Sequence, residues 1–121
     1  MAGLDYVDFF LFPVSKRRLS AYRKMAKVFR RFALQYGVVA YREALGDDLK
    51  TAMGPSFLSI VKVKKDEVLV GSFVVYKSKK HRDAFNKAMM AAPEMEKFMK
   101  SPMPFDVKRM YYGGFKSFIR L

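Results

Sequence analysis

The stretch Glu67-Val-Leu-Val-Gly-Ser-Phe-Val-Val-Tyr76 constrains this chain more than any other. In an extended backbone, side chains alternate between the two faces of a sheet. Val68, Val70, Ser72, Val74 and Tyr76 then share one face, and Leu69, Gly71, Phe73 and Val75 the other. Both faces are apolar, so a strand here must be covered from both sides.

The other elements follow from the same periodicities. Asp5–Phe12 alternates and is rich in aromatics, which predicts a strand ended by Pro13. Ser15 is a good N-cap, and Val14 and Leu19 sit at hydrophobic-staple positions around it. Leu19, Tyr22, Ala26, Phe29, Ala33 and Tyr36 then keep helical spacing until Gly37. Val38–Leu45 and Phe57–Val63 read as a second and third strand, separated by the polar loop from Gly46 to Pro55. The turn Lys64-Lys65-Asp66 leads into the fourth strand at Glu67. Ser78 caps a second helix reaching about Ala91, and Pro93 starts a short third one with Glu94 and Glu96 in its first turn. Met110–Leu121 reads as one long final strand. Its Gly113-Gly114 leaves a gap for the close approach of another backbone or a ligand, which suits the interior of a sheet.

The order is that of an α+β, ferredoxin-like βαββ(β)αβ antiparallel sheet with its helices on one face. The whole chain, 1–121, reads as one domain. Two main helices cover only one face, and the other would be a large exposed apolar patch in a lone copy. A two-fold homodimer with sheets facing each other removes it.

Composition narrows the class. With 51% apolar residues the chain is not a disordered one, and no apolar run approaches the roughly 20 residues that cross a bilayer. The opening Met-Ala-Gly-Leu-Asp-Tyr carries no basic segment before an apolar one, so no export signal is expected and the cytoplasm is the default location. There is no cysteine, hence no disulfide and no thiolate site, and one histidine cannot build a metal site; no cofactor is expected. The net charge of +13 attracts polyanions, nucleic acid among them.

Several segments resemble the YbaA-like family of small bacterial proteins of unknown function. They are Tyr6-Val-Asp8, the basic helix with Ala21-Tyr-Arg-Lys-Met-Ala26, and Val74-Val-Tyr-Lys-Ser78 with His81-Arg-Asp83. The most specific block is Met103-Pro-Phe-Asp106, Lys108-Arg-Met110 and Tyr112-Gly-Gly-Phe115. The resemblance runs from Tyr6 to Leu121 and implies a dimeric α/β barrel of ferredoxin-like type. It carries no catalytic residues over. The chain departs from the family pattern at Phe9 and Val107, where glycine is usual, and in its high charge. Fold alone selects no function.

Two sets of residues are candidates for function. Tyr6, Asp8, Tyr41, Tyr76, Arg109 and Tyr112 are polar groups on apolar strands, as expected of a small-molecule pocket between sheet and helices. Tyrosines bonded to backbone carbonyls would explain the same letters. Asp8 is read either as one half of an ion pair with a neighbouring strand or as a carboxyl raised by desolvation. Lys16, Arg17, Arg23, Lys24, Lys27, Arg30 and Arg31 crowd the first helix without one acid, as a polyanion-binding face or as a solvated outer surface. His81 lies at a helix start and has no second histidine or cysteine to work with.

Overall fold

The computed structural model describes residues 5–121, and the reading of Met1–Leu4 as free of an export signal lies outside them. Along the chain run β1 (Tyr6–Ser15), α1 (Leu19–Gln35), β2 (Ala40–Leu45), β3 (Glu67–Tyr76), α2 (Lys79–Ala91), α3 (Pro93–Lys100) and β4 (Tyr111–Lys116). The strands make one antiparallel sheet in the order β2-β3-β1-β4. This is the α+β, ferredoxin-like arrangement expected from the pattern.

The core lies on one face. Phe12, Val14 and Val70 of the sheet pack with Tyr22 of α1, while Val74 and Tyr76 pack with Ala33 of α1 and Phe85 of α2. α3 packs beside α1 and α2, with Met95 buried. Among the described residues, no helix is long and apolar enough to cross a membrane.

Local chemistry sets most of the ends. Gly37 takes φ +69 and closes α1, with Val38 N–H donating back to Ala33 O at 3.0 Å. Ser78 accepts from His81 N–H at the start of α2.

Four features depart from the sequence reading. Phe57–Val63 is not a strand: Phe57–Ser59 is a 3-10 turn. Ser56 offers its backbone a local alternative to a ladder, accepting from Leu58 N–H at 3.1 Å while donating to Leu49 O. Pro13 does not end β1, which runs on to Ser15. It lies past the last β1–β4 pair, Leu11↔Tyr111, where β1 has a neighbour on one side only and proline is tolerated.

Ser15 makes no side-chain cap. The N–H of Lys16 donates to Asp66 O at 2.8 Å, and a 3-10 turn over Lys16–Arg18 precedes α1. Finally, β4 covers only Tyr111–Lys116 and is an edge strand, not an interior one. Its pairing stops at Tyr6↔Lys116, where β1 begins. The space at Gly114 is taken by the ring of Tyr6, not by a further strand.

Candidate functional site

The sheet face turned away from the helices is a grid of small and aromatic side chains. Its first row across the sheet is Ala44, Gly71, Leu11 and Tyr111, its second Arg42, Phe73, Phe9 and Gly113, and its third Ala40, Val75, Val7 and Phe115. Arg42 is the only charge in these rows. Ala44, Gly71 and Gly113 leave a low floor, and the aromatics form its walls. Phe9 meets Phe115 edge-on at 5.3 Å and Phe73 at 6.4 Å.

A fourth wall comes from the loop between β2 and β3. Its Phe57 turn stands beside the face, and the Tyr111 hydroxyl holds it there by donating to Ile60 O at 3.1 Å. The result is an open groove of about 590 Å³ lined by Phe9, Leu11, Ala44, Phe57, Gly71, Phe73, Tyr111, Gly113 and Phe115. Ser72, Phe10 and Tyr112 complete the lining, which contains no carboxylate, histidine or lysine. Such a surface binds by shape and apolar contact and has no group to move a proton at neutral pH.

Of the six pocket candidates only Tyr112 touches this groove; the other five lie elsewhere, in three separate places. Tyr6, Asp8 and Tyr76 share one end of the helix-covered face. Asp8 is 5% exposed, and its Oδ1 accepts from Arg82 Nη1 at 2.8 Å. Arg82 also donates to Asp83 at 2.7 Å and lies over the Tyr6 ring at 4.9 Å. Asp8 thus has an ion-pair partner, drawn from α2 and not from a neighbouring strand. Desolvation nevertheless lifts its carboxyl above the usual range, against the pull of Arg82. Tyr76, 1% exposed, is pushed up by the same burial and by the nearby Asp8 charge.

Tyr41 belongs to a second cluster under α1. Its hydroxyl and that of Tyr22 both donate to the Glu43 carboxylate, at 2.5 and 2.8 Å. Although Glu43 as a whole is exposed at the sheet edge, its carboxyl is hemmed in there. Desolvation raises it more than the two hydroxyls lower it. Both tyrosines are raised in turn, by burial first and by the carboxylate second. Arg109, a third location, forks onto Glu67 at 2.7 and 2.8 Å and donates to Lys62 O at 2.6 Å. This pairing holds the Glu67 carboxyl down at about 2. Tyr112 stacks on Phe10 at 6.0 Å near the open edge of β4.

The basic stretch begins before the helix: Lys16–Arg18 form the 3-10 turn and α1 starts at Leu19. Lys16, Arg17, Arg23, Lys24, Lys27, Arg30 and Arg31 are all exposed, and the last five fall at three- and four-residue spacings on one side of α1. Arg31 pairs with Glu94; among the described residues the others have no ion-pair partner. Arg18 is different: it donates to the carbonyls of Pro102 and Met103 and ties the helix start to the block before β4.

His81 is neither loose nor free for chemistry. Its Nδ1 accepts from Lys77 N–H at 3.0 Å, which leaves Nε2 to donate to Tyr36 O at 2.7 Å. It clamps the start of α2 to the end of α1.

Sequence reasoning missed the groove and the role of Arg82. The signal for the groove was present in Leu69, Gly71, Phe73 and Val75, a face whose glycine interrupts a run of large side chains. Nothing in the letters around Arg82 tells which strand its side chain will reach.

Residues 5–107 match the family described as protein of unknown function DUF1428. Over 116 residues the chain is 39% identical to the uncharacterized protein YbaA of Escherichia coli strain K12, covering 96% of this chain and 98% of that protein. The YbaA of Shigella flexneri matches to the same extent. With that coverage and the fold above, this chain belongs to the YbaA-like, DUF1428 family.

Proposed function

We propose that this chain works as a homodimer that binds a small, largely apolar molecule in a chamber formed where the open faces of two copies meet. The observation that carries the reading is the groove of about 590 Å³ over Gly71. That volume falls in the range of about 300–1,000 Å³ usual for small-molecule sites. Its aromatic walls favour a planar or aromatic ligand.

The pairing is supported by charge. Each copy carries +13, so like surfaces repel wherever Lys and Arg predominate. The three open rows carry Arg42 alone, so little of that repulsion falls there, and burying them removes an exposed aromatic patch from water. No reaction is assigned, because the groove holds hydroxyls but no acid, base or nucleophile beyond them.

Gly71→Leu tests the reading. A Cβ built there meets only Leu11 Cδ1, at 3.9 Å, and the rest of the side chain points into the groove, so the variant should fold while its added bulk fills that space. Sedimentation is expected to give a dimer for both proteins. The neutral apolar fluorophore N-phenyl-1-naphthylamine should bind the native protein and lose at least tenfold in affinity with the variant. A monomer at high concentration, or equal binding by both proteins, sinks the proposal.

A second reading rests on the α1 stripe, whose cations, Arg31 apart, have no ion-pair partner among the described residues. In it the stripe docks on nucleic acid. Binding of a labelled single-stranded RNA would then weaken steeply with salt, and K24Q/K27Q/R30Q would flatten the log–log slope by about 2, at roughly 0.7 per lost phosphate contact. An unchanged slope removes this reading and leaves a solvated helix face.

A further inference from the structure

We propose that the segment 117–121 of each copy packs on the Phe57–Ile60 turn of the second copy, closing the open end of the groove; this rests on the face-to-face pairing proposed above. The segment is held but uncovered. Ser117 N–H donates to Asp5 O at 2.9 Å, and Arg120 pairs with Asp5 at 2.9 Å, so the chain keeps the line of β4 past its last pair. Yet Phe118 is 84% and Ile119 79% exposed. Isolated exposed apolar side chains are ordinary, whereas two adjacent ones on a tethered backbone ask for a cover.

The turn has the matching deficit. Phe57, Leu58 and Ile60 are exposed large hydrophobics, pinned beside the groove by the Tyr111 bond to Ile60 O. Tyr111 begins β4 and Lys116 ends it, so the two apolar features stand at opposite ends of one strand, about 20 Å apart at roughly 3.3 Å per residue. One copy cannot join them. A two-fold axis can, because an isologous contact that puts one feature of the first copy on the other feature of the second also makes the reciprocal contact.

Charge agrees with this pairing. Asp47 and Asp48, in the loop leading to the turn, are exposed and form no ion pair among the described residues, in a chain with few acids to spare. The segment follows Lys116 at the end of β4 and brings Arg120, which it shares with Asp5. The match is cationic end to acidic loop, where two identical ends would repel.

The chain has no cysteine, which makes the test clean. L58C/F118C, oxidised at a concentration where the native protein is a dimer by sedimentation, should run as a covalent dimer on a denaturing gel, while L58C and F118C alone should not. F118S/I119S, which alters only exposed side chains, should raise the dimer dissociation constant at least tenfold. A native dimer whose double-cysteine variant does not cross-link, or whose serine variant dissociates no more readily, overturns this inference and leaves the sheet pairing standing. Cross-linking by F118C alone would also overturn it, since the segments would then meet each other. A monomeric native protein sinks the pairing itself.

Discussion

Tyr6 occupies the space that a side chain at Gly114 would need. A Cβ built there stands 2.3 Å from the Tyr6 hydroxyl oxygen and 2.6 Å from its ring. The glycine therefore keeps its gap for a side chain from the adjacent strand. Arg82 lies over the same ring at 4.9 Å and links it to Asp8.

Gly114→Ala is expected to destabilise the fold by about 1–3 kcal/mol, because the Tyr6 ring must shift to make room and Arg82 lies against it. Urea unfolding measures it. Tyr6→Ala in the same chain should make the glycine change nearly neutral, so a double-mutant cycle that shows no coupling contradicts the packing.

Arg82→Ala should cost about 3 kcal/mol, since it leaves the Asp8 carboxylate buried and unpartnered. Adding Asp8→Asn removes the orphan charge and should restore part of that loss. The pH dependence has a definite sign. The folded Asp8 carboxyl titrates above its ordinary 3.8, so holding it charged costs stability at neutral pH, and that cost is relieved as pH falls through its folded value. The Arg82→Ala variant should therefore lose less, relative to the native chain, in acid than at pH 7.

The Glu67–Arg109 pair behaves in the opposite sense. Its folded carboxyl sits near 2 against an ordinary 4.5, so its contribution is complete above the ordinary value and disappears as pH falls toward 2. Glu67→Gln should cost about 1 kcal/mol at pH 7, modest because Arg109 is partly open to solvent. That difference should shrink steadily in unfolding curves taken at pH 7, 4 and 2.5. A constant difference across the series speaks against the pair as the cause.

His81→Ala should lower stability by about 1–2 kcal/mol through the loss of both clamp bonds. Nitrogen NMR of the native ring should find the proton on Nε2. A proton on Nδ1 would mean that the clamp is not made.

Much of this architecture was legible, and the failures have physical causes. β3 was read to the residue because both its faces are apolar and a polar turn precedes it. The ends of α1 and α2 at Gly37 and Ser78 were read because backbone chemistry fixes them locally. Phe57–Val63 misled because Phe57 lines the groove and Val61 is buried without any ladder, while Ser56 satisfies the backbone instead. Met110–Leu121 was overextended because a strand ends where its neighbour ends, and only the register with β1 reveals that. The candidate pocket was put under the helices because polar letters drew attention there. The structure spends Asp8, Tyr41 and Arg109 on partners of their own, and the hollow lies over glycines on the opposite face.

The near absence of charge from the open face, in a molecule that is otherwise strongly cationic, has a consequence for how buffers act on it. Added electrolyte shortens the reach of the charges to about 10 Å at 0.1 M, so it softens the mutual repulsion of two copies and leaves their apolar contact intact. Pairing should tighten as ions are added, while the grip of α1 on any polyanion loosens. One dial would thus favour self-association at one end and polyanion capture at the other.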